Sequence, residues 1–580
     1  MRSFGVSVLG CAAVLAVLAP GCSASRSSDG GEDDETTLSA LVNAAASPTT
    51  FTTPLPIPSE LKPVTRDGAN VSYVLTAEPG GTHYYDARNY ATTYAYSGGI
   101  PTEIRDAGGA LVKRAGENGV VLGPVIRFRR GDHVSLDFRA NLDKPTNVHW
   151  HGLDVPSEVD VMPTRGASGG ASTKVTFDVK NQAATLWYHP HQHADEGRQH
   201  YVGLNGMVII DDDNSDALGA AGLPHTYGVD DIPLTFQDLR FDGSGKLRYV
   251  QDEEDQDGML GDQIVVNGVT RPVINVTKSL VRFRVLNASN ARAIKIGLSN
   301  KQKFFHVASD GGFLNAPLPV SSVSLGPSER AEIVVDFSKS NTGKINLVSY
   351  GFAPLEPEDA LERQDGDAAS LDWRNGRKYR KRRGITKEDI EHIRGGRPPQ
   401  GFGFAIAQIA IAPNLPPAAP LPQKLNTIPP PDPSRAVNLE SPRVFKLEGP
   451  SEEDHEHNPQ GVDFAATING IKGDPELARV DQRVRSGTSE VWAITNDADD
   501  MMHPFHVHGR QFRVLERIPA PGHPAIRVPV EEGYKDTVQI FPHETVKILV
   551  DFDIPPGNYF FHCHVLEHVD MGMMGIFGVE

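Results

Sequence analysis

Residues 561–574 read Phe-His-Cys-His-Val-Leu-Glu-His-Val-Asp-Met-Gly-Met-Met, the stretch that constrains the reading of this chain most tightly. His562, His564 and His568 with Cys563 and Met573 set three imidazoles, a thiolate and a thioether within twelve positions. Such a donor set suits copper. Soft sulfur favours Cu(I), imidazole serves both oxidation states, and His₂Cys with a weak axial Met makes a blue-copper electron-transfer site. Side chains on a strand alternate between faces, so His562 and His564 are expected on one side and Cys563 on the other. One three-residue segment can then feed two metal centres. Cys563 and His568, a second His from elsewhere and axial Met573 would form one, and His562 and His564 would enter the other.

Three further segments offer ligands: His149-Trp150-His151-Gly152, His189-Pro190-His191 and His503-Pro504-Phe505-His506-Val507-His508. Of the 21 histidines in 580 residues, ten fall in these four blocks. One isolated His-X-His pair is adequately explained as two solvated or hydrogen-bonded histidines. Four blocks together with His-Cys-His point to a metal cluster. Cysteine usage agrees, because only Cys11, Cys22 and Cys563 occur and the first two lie in the leader. Cys563 is thus expected to pair with metal and not with another thiol.

With flanks such as "LGPVIRFRRGDHVSL", "HWHGLDVPSEVD", "WYHPHQH" and "HPFHVHGRQFRVL", the chain from about Leu61 to Glu580 resembles the multicopper oxidases. It looks closest to the three-domain bacterial members, which include laccases, cuprous oxidases and bilirubin-oxidase-like enzymes. The resemblance implies four coppers per chain. His503, Cys563 and His568 match the type 1 ligands with Met573 axial; His149 and His506 match the type 2 pair. His151, His189, His191, His508, His562 and His564 match the type 3 ligands. Cys563 with its neighbours His562 and His564 would carry electrons from the type 1 copper to the trinuclear cluster. Asp160 sits where bacterial relatives carry an acid near that cluster, and is expected to help deliver protons. Close relatives often have Glu after the last histidine, where this chain has Val569. Either Asp160 carries more of the relay, or Asp570 or Glu567 contributes.

The implied activity is laccase-like: four one-electron oxidations of phenols or aromatic amines, coupled to reduction of O₂ to water. Two alternatives stand beside it. Cuprous oxidation for copper tolerance is one, because Asp499 and Met501 resemble a Cu(I)-binding loop, although Met501, Met502, Met571 and Met574 are equally explained by packing. A non-enzymatic copper-storage or structural cupredoxin protein is the other, and retention of every expected ligand argues against it. Expected partners are a small-molecule reductant or Cu(I) and O₂. A net charge of −18 argues against nucleic acid, and a monomer is expected.

Low helical periodicity and strand-like alternation in "VIRFRRGDHVSLDFRANL", "SLVRFRVLNAS" and "ERAEIVVDFS" predict an all-β chain. The resemblance implies three cupredoxin-like Greek-key β-sandwich domains. They are placed at 55–213, 228–413 and 436–580, with a Pro-rich linker at 414–435. The middle domain has no His-X-His pair and is expected to space the other two. Residues 1–22 read as a lipoprotein-like signal, with Cys22 a candidate lipid anchor. Residues 23–54 are expected to form a flexible polar tether. A cell-envelope location, periplasmic or anchored at the outer membrane, follows, or secretion if Cys22 is not lipidated. The charged insertion 355–400 has no Met where cuprous oxidases often carry many, and reads as a lid near the type 1 edge or as a surface excursion. His193, and His455 with His457, stand outside the matched ligand set.

Overall fold

The computed structural model describes residues 51–97, 121–160, 162–249, 258–340, 343–351, 400–401, 403–449, 466–473, 479–496, 501–521 and 529–580. The leader with Cys22, residues 355–399 of the insertion, Asp499, Asp500, His455 and His457 lie outside them.

Six sheets pair into three sandwiches, each around its own apolar core. All three share one signature: an early strand runs parallel to a later one. In the first sandwich β1 (Asn70–Tyr84) pairs with β2 (His133–Ala140). In the middle sandwich β3 (Asp231–Leu239) pairs with β4 (Leu280–Asn287). In the last, β5 (Arg443–Glu448) pairs with β6 (Ser489–Asn496). Parallel neighbours require a crossover, and its recurrence identifies three copies of one Greek-key plan.

Burial explains why these segments are strands. In β2 the side chains of Val134, Leu136, Phe138 and Ala140 are buried, while those between them are more exposed. A layer with one face on the core and the other toward solvent produces this period of two. Strand β4 alternates in sequence too, yet Val281 through Asn287 are all buried. Arg282 and Arg284, which by pattern face water, instead pair with Glu332 and Asp231, and Arg284 reaches Thr185 of the first sandwich at 2.9 Å. The polar face of β4 is therefore a contact between sandwiches. Buried charges persist there because each is paired.

At its N-terminal edge the structure departs from the expected division. Thr53–Pro54, assigned to the tether, forms a short parallel ladder with Pro272–Val273 of the middle sandwich. Leu55 and Ile57, assigned to the first domain, are packed into the middle core. Their apolar surface finds its partner there, and sequence adjacency gives no hint of it. The segment 414–435 is also packed: Leu421 and Leu425 join Val307 and Phe313 in a small core, and Asn315 exchanges hydrogen bonds with Leu425 and Ile428.

Candidate metal centre

Register between two strands sorts the C-terminal ligands. Strand β7 (His503–Val507) lies antiparallel to β8 (Gly557–Cys563), with Phe505 opposite Cys563 and His506 opposite His562. Residues two apart share a face, so His503 falls on the Cys563 side and His506 on the His562 side. Cys563 Sγ is 3.5 Å from His503 Nδ1 and 3.7 Å from His568 Nδ1. Two donors about 2.0–2.3 Å from one first-row ion, set at a trigonal angle, lie roughly 3.7 Å apart. All three side chains are fully buried.

His568 sits on α2 (Leu566–Met571), which ends at Gly572 in the left-handed conformation at φ 110°. Glycine adopts this at no steric cost, and it turns the chain back sharply. Met573, also buried, returns to donate its N–H to His568 O at 2.8 Å and to accept from Cys563 N at 3.1 Å. The thioether is thereby brought into the same core cluster as Cys563. Met501 and Met571 pack against that core, and Met502 packs with Ala293 and Phe541.

On the opposite face eight histidines converge, four from the first sandwich and four from the last. His149 and His189 form an antiparallel bridge, His149 stacks on His508 at 4.0 Å between ring centroids, and His151 stacks on His506 at 3.7 Å. His508 Nε2 and His562 Nε2 are 3.0 Å apart. Donor atoms of His149, His151 and His189, of His149, His506 and His508, and of His191, His508 and His562 each lie within 4.8 Å of one another. Trp187 stacks on His189 at 4.1 Å and closes one side.

Whether this set fits metal is decided by the ring nitrogens that have no partner. His149 Nε2, His151 Nδ1, His189 Nε2, His191 Nε2, His506 Nε2 and His564 Nε2 are buried with no hydrogen-bond partner among the described residues. The opposite nitrogens are mostly anchored: Nδ1 of His149 and of His508 on Asp160, Nδ1 of His189, His506 and His562 on backbone carbonyls, and Nε2 of His151 on Asp536. Orphaned buried polar atoms are costly, and a metal ion is the partner that repays them. Anchoring one nitrogen fixes the tautomer and aims the other. Burial holds His149, His151, His189, His506, His508, His562 and His564 well below the usual histidine range, so their lone pairs are free for a cation. The residues present fit a metal cluster.

The chain as a whole is similar to known proteins. Family models described as multicopper oxidase match residues 101–215 and 437–580. The chain is 32% identical over 523 residues to "Multicopper oxidase mco" of Staphylococcus aureus, covering 89% of this chain and 90% of that one. The chain belongs to the multicopper oxidase family. Among solved structures, a laccase from Pediococcus acidilactici superposes with a TM-score of 0.69 at 29% identity, covering 92% of this chain and 94% of that one. The chain is also 32% identical over 474 residues to "Cell division protein FtsP" of Edwardsiella tarda, covering 81% and 86% of the two chains. Multicopper oxidases bind copper and transfer electrons from a reductant to O₂, and the all-β cupredoxin-like fold is theirs.

Three carboxylates were candidates for the surroundings of the cluster, and the structure separates them. Asp160 bridges two rings, accepting from His149 Nδ1 at 2.6 Å and from His508 Nδ1 at 2.7 Å. Glu567 is buried but occupied elsewhere, accepting from Tyr249 Oη, Asn290 Nδ2 and Met259 N. Asp570 accepts from the backbone N–H groups of Glu196 and Gly197, capping α1 (Glu196–Tyr201). Val569 lies in an apolar cluster with Phe560, Met574 and Ile576.

A fourth carboxylate escaped the sequence reading. Glu196 is fully buried, with Oε2 2.8 Å from His191 Nδ1 and Oε1 3.5 Å from His189 Nδ1. Neither oxygen has an aligned hydrogen bond. Burial alone would push His191 down; the Glu196 carboxylate outweighs it and holds this ring above its usual value. The available signal was proximity, since Glu196 follows His191 by five residues in a block already singled out. Asp536, beside His151, was missed as well, and no local pattern marks it.

Proposed function

We propose that the protein couples four one-electron oxidations of phenols or aromatic amines to reduction of O₂ to water. In this reading His503, Cys563, His568 and Met573 hold a type 1 copper, His149 and His506 a type 2 copper, and His151, His189, His191, His508, His562 and His564 a type 3 pair. Copper in such sites supplies one-electron chemistry at the first centre and concerted delivery to O₂ at the other three. The observation that carries the proposal is the covalent sequence His562-Cys563-His564. Its thiol faces His503 and His568, while its two imidazoles face the eight-histidine cluster. Electrons arriving at Sγ have only a few bonds to cross.

The protein's own groups set the rest. Near-complete burial of the eight rings keeps bulk water from the cluster. Asp160 holds the Nδ1–H groups of His149 and His508 at once, and we assign it the delivery of protons to the oxygen side. Export through residues 1–22, lipidation at Cys22 and a monomeric state belong to the same proposal.

Oxidation of Cu(I) is the second reading, favoured by Met501 packing against the core that holds Cys563. A structural role, as the likeness to a cell division protein suggests, is the third; the six orphaned ring nitrogens of the cluster speak for bound metal and so for an active enzyme. Oxygen uptake by the copper-loaded protein decides among them. Uptake with a phenol above that with Cu(I) supports the proposal, the reverse order supports the second reading, and no uptake with either donor supports the third.

A further inference from the structure

The middle sandwich has no His-X-His pair, yet one of its side chains ends at the cluster. Arg330 opens the strand Arg330–Asp336 and is fully buried. Its Nη1 donates to Asp536 Oδ1 at 2.8 Å, and its Nη2 donates to Asp536 Oδ2. Nε donates to the Thr185 carbonyl at 3.1 Å, and Nη1 also reaches the Ser328 carbonyl at 2.7 Å. One guanidinium thus touches all three sandwiches, because Thr185 belongs to the first and Asp536 to the last.

Asp536 passes the constraint to two rings. Its Oδ1 accepts from His151 Nε2 at 3.0 Å, and its backbone carbonyl accepts from His506 Nδ1 at 2.7 Å. Among the eight rings His151 is the one that sets its Nε2 against a carboxylate. His149, His189 and His506 anchor Nδ1 and leave Nε2 without a partner, whereas His151 anchors Nε2 and leaves Nδ1. Among the described residues its only other Nε2 hydrogen-bond partner is Thr537 Oγ1 at 3.2 Å, a hydroxyl that can donate or accept and so cannot choose a tautomer. That choice falls to the Asp536 carboxylate. A carboxylate held by one bond can rotate; one gripped by both arms of a guanidinium cannot.

Close packing around the pair supports this role. A Cβ on Gly152, which has φ +86°, would lie 2.4 Å from Asp536 Oδ2 and 3.1 Å from Arg330 Nη2. The residue after His151 is therefore glycine where the ion pair passes beneath it.

We infer that Arg330 is a positioning residue for the oxygen-reducing cluster: by gripping Asp536 it makes His151 present Nδ1, so the middle sandwich is part of the metal site. The inference rests on the copper assignment proposed above. Copper content, cluster copper affinity by dialysis against a chelator, electron paramagnetic resonance and visible absorption test it on the full chain. In Arg330→Gln the blue colour should persist while affinity of the cluster for copper falls about 10- to 100-fold and the type 2 resonance changes shape. Arg330→Lys keeps the charge without the fork and should recover part of the loss. Combining Arg330→Gln with Asp536→Asn should be no worse than the more damaging single change, since both act through one contact. Wild-type cluster affinity and resonance in Arg330→Gln, or fully additive losses, would overturn the inference. Should Arg330→Gln not fold, Gly152→Ala presses on the same pair and on Leu186; lowered cluster copper affinity with the blue colour kept then supports the inference, and wild-type affinity overturns it. A wild-type protein without blue colour overturns the copper assignment and this inference with it, and does so before any variant is compared.

Discussion

Asp160 Oδ2 lies 2.7 Å from His508 Nδ1, joining a loop of the first sandwich to the last across 348 positions of sequence. The other oxygen holds His149 at 2.6 Å. One side chain thus sets the spacing of two stacked ligands that come from different sandwiches.

Replacing Asp160 by Ala removes both anchors, and cluster copper affinity should fall about 10- to 100-fold, as for other carboxylates behind metal-bound histidines. Asp160→Asn retains one acceptor. It should keep its copper and still lose oxygen-reduction rate, and stopped-flow reoxidation of the reduced protein measures this. Full rate in Asp160→Asn would remove Asp160 from proton delivery.

Cys563→Ser deletes the only described thiol. Blue absorption and donor oxidation should vanish while most of the cluster copper remains, because the eight rings do not use Sγ. Intense blue colour in this variant would sink the type 1 assignment.

Met573→Leu should raise the type 1 potential, since loss of a weak sulfur ligand favours Cu(I), and should leave copper content unchanged. Redox titration reads the shift. An unchanged potential would mean that Met573 is not the axial group.

His306, in the middle sandwich and away from the cluster ligands, gives a pH test of stability. Burial pushes this ring down to about 4, and its Nε2 lies 2.8 Å from Ala308 O. The unfolded chain takes up a proton near pH 6.5, while the folded chain resists until about 4. Stability from this group is therefore present above pH 6.5 and is lost as the pH falls through that window, by roughly 3 kcal/mol at most. Urea unfolding of copper-free protein at pH 7 and pH 4.5 should show a smaller acid loss in His306→Gln than in wild type. Equal losses would mean that His306 is not the group responsible.

What was legible in the sequence was local. Alternation along 561–564 places His562 and Cys563 on opposite faces because a strand has no other way to display neighbours, and the apolar rhythm of His133–Ala140 announces a half-buried strand. What could not be read depends on partners distant in the chain. Arg282 and Arg284 look like a solvent face until the first sandwich covers them. Asp536 looks like any polar residue before a strand until Arg330 and His151 reach it. Glu196 is intermediate: it stands beside a recognised block, but only the turn into Glu196–Tyr201, capped by Asp570, swings it under His191.

The ladder of Thr53–Pro54 with Pro272–Val273 also has a mechanical meaning. A pull exerted through the residues before 53 is borne first by the middle sandwich, the one body that carries no histidine block. The two histidine-bearing sandwiches meet it through contacts such as Arg284 with Thr185 and Arg330 with Asp536. A load applied at this point would meet an edge strand of the middle sandwich before it met a metal-binding ring.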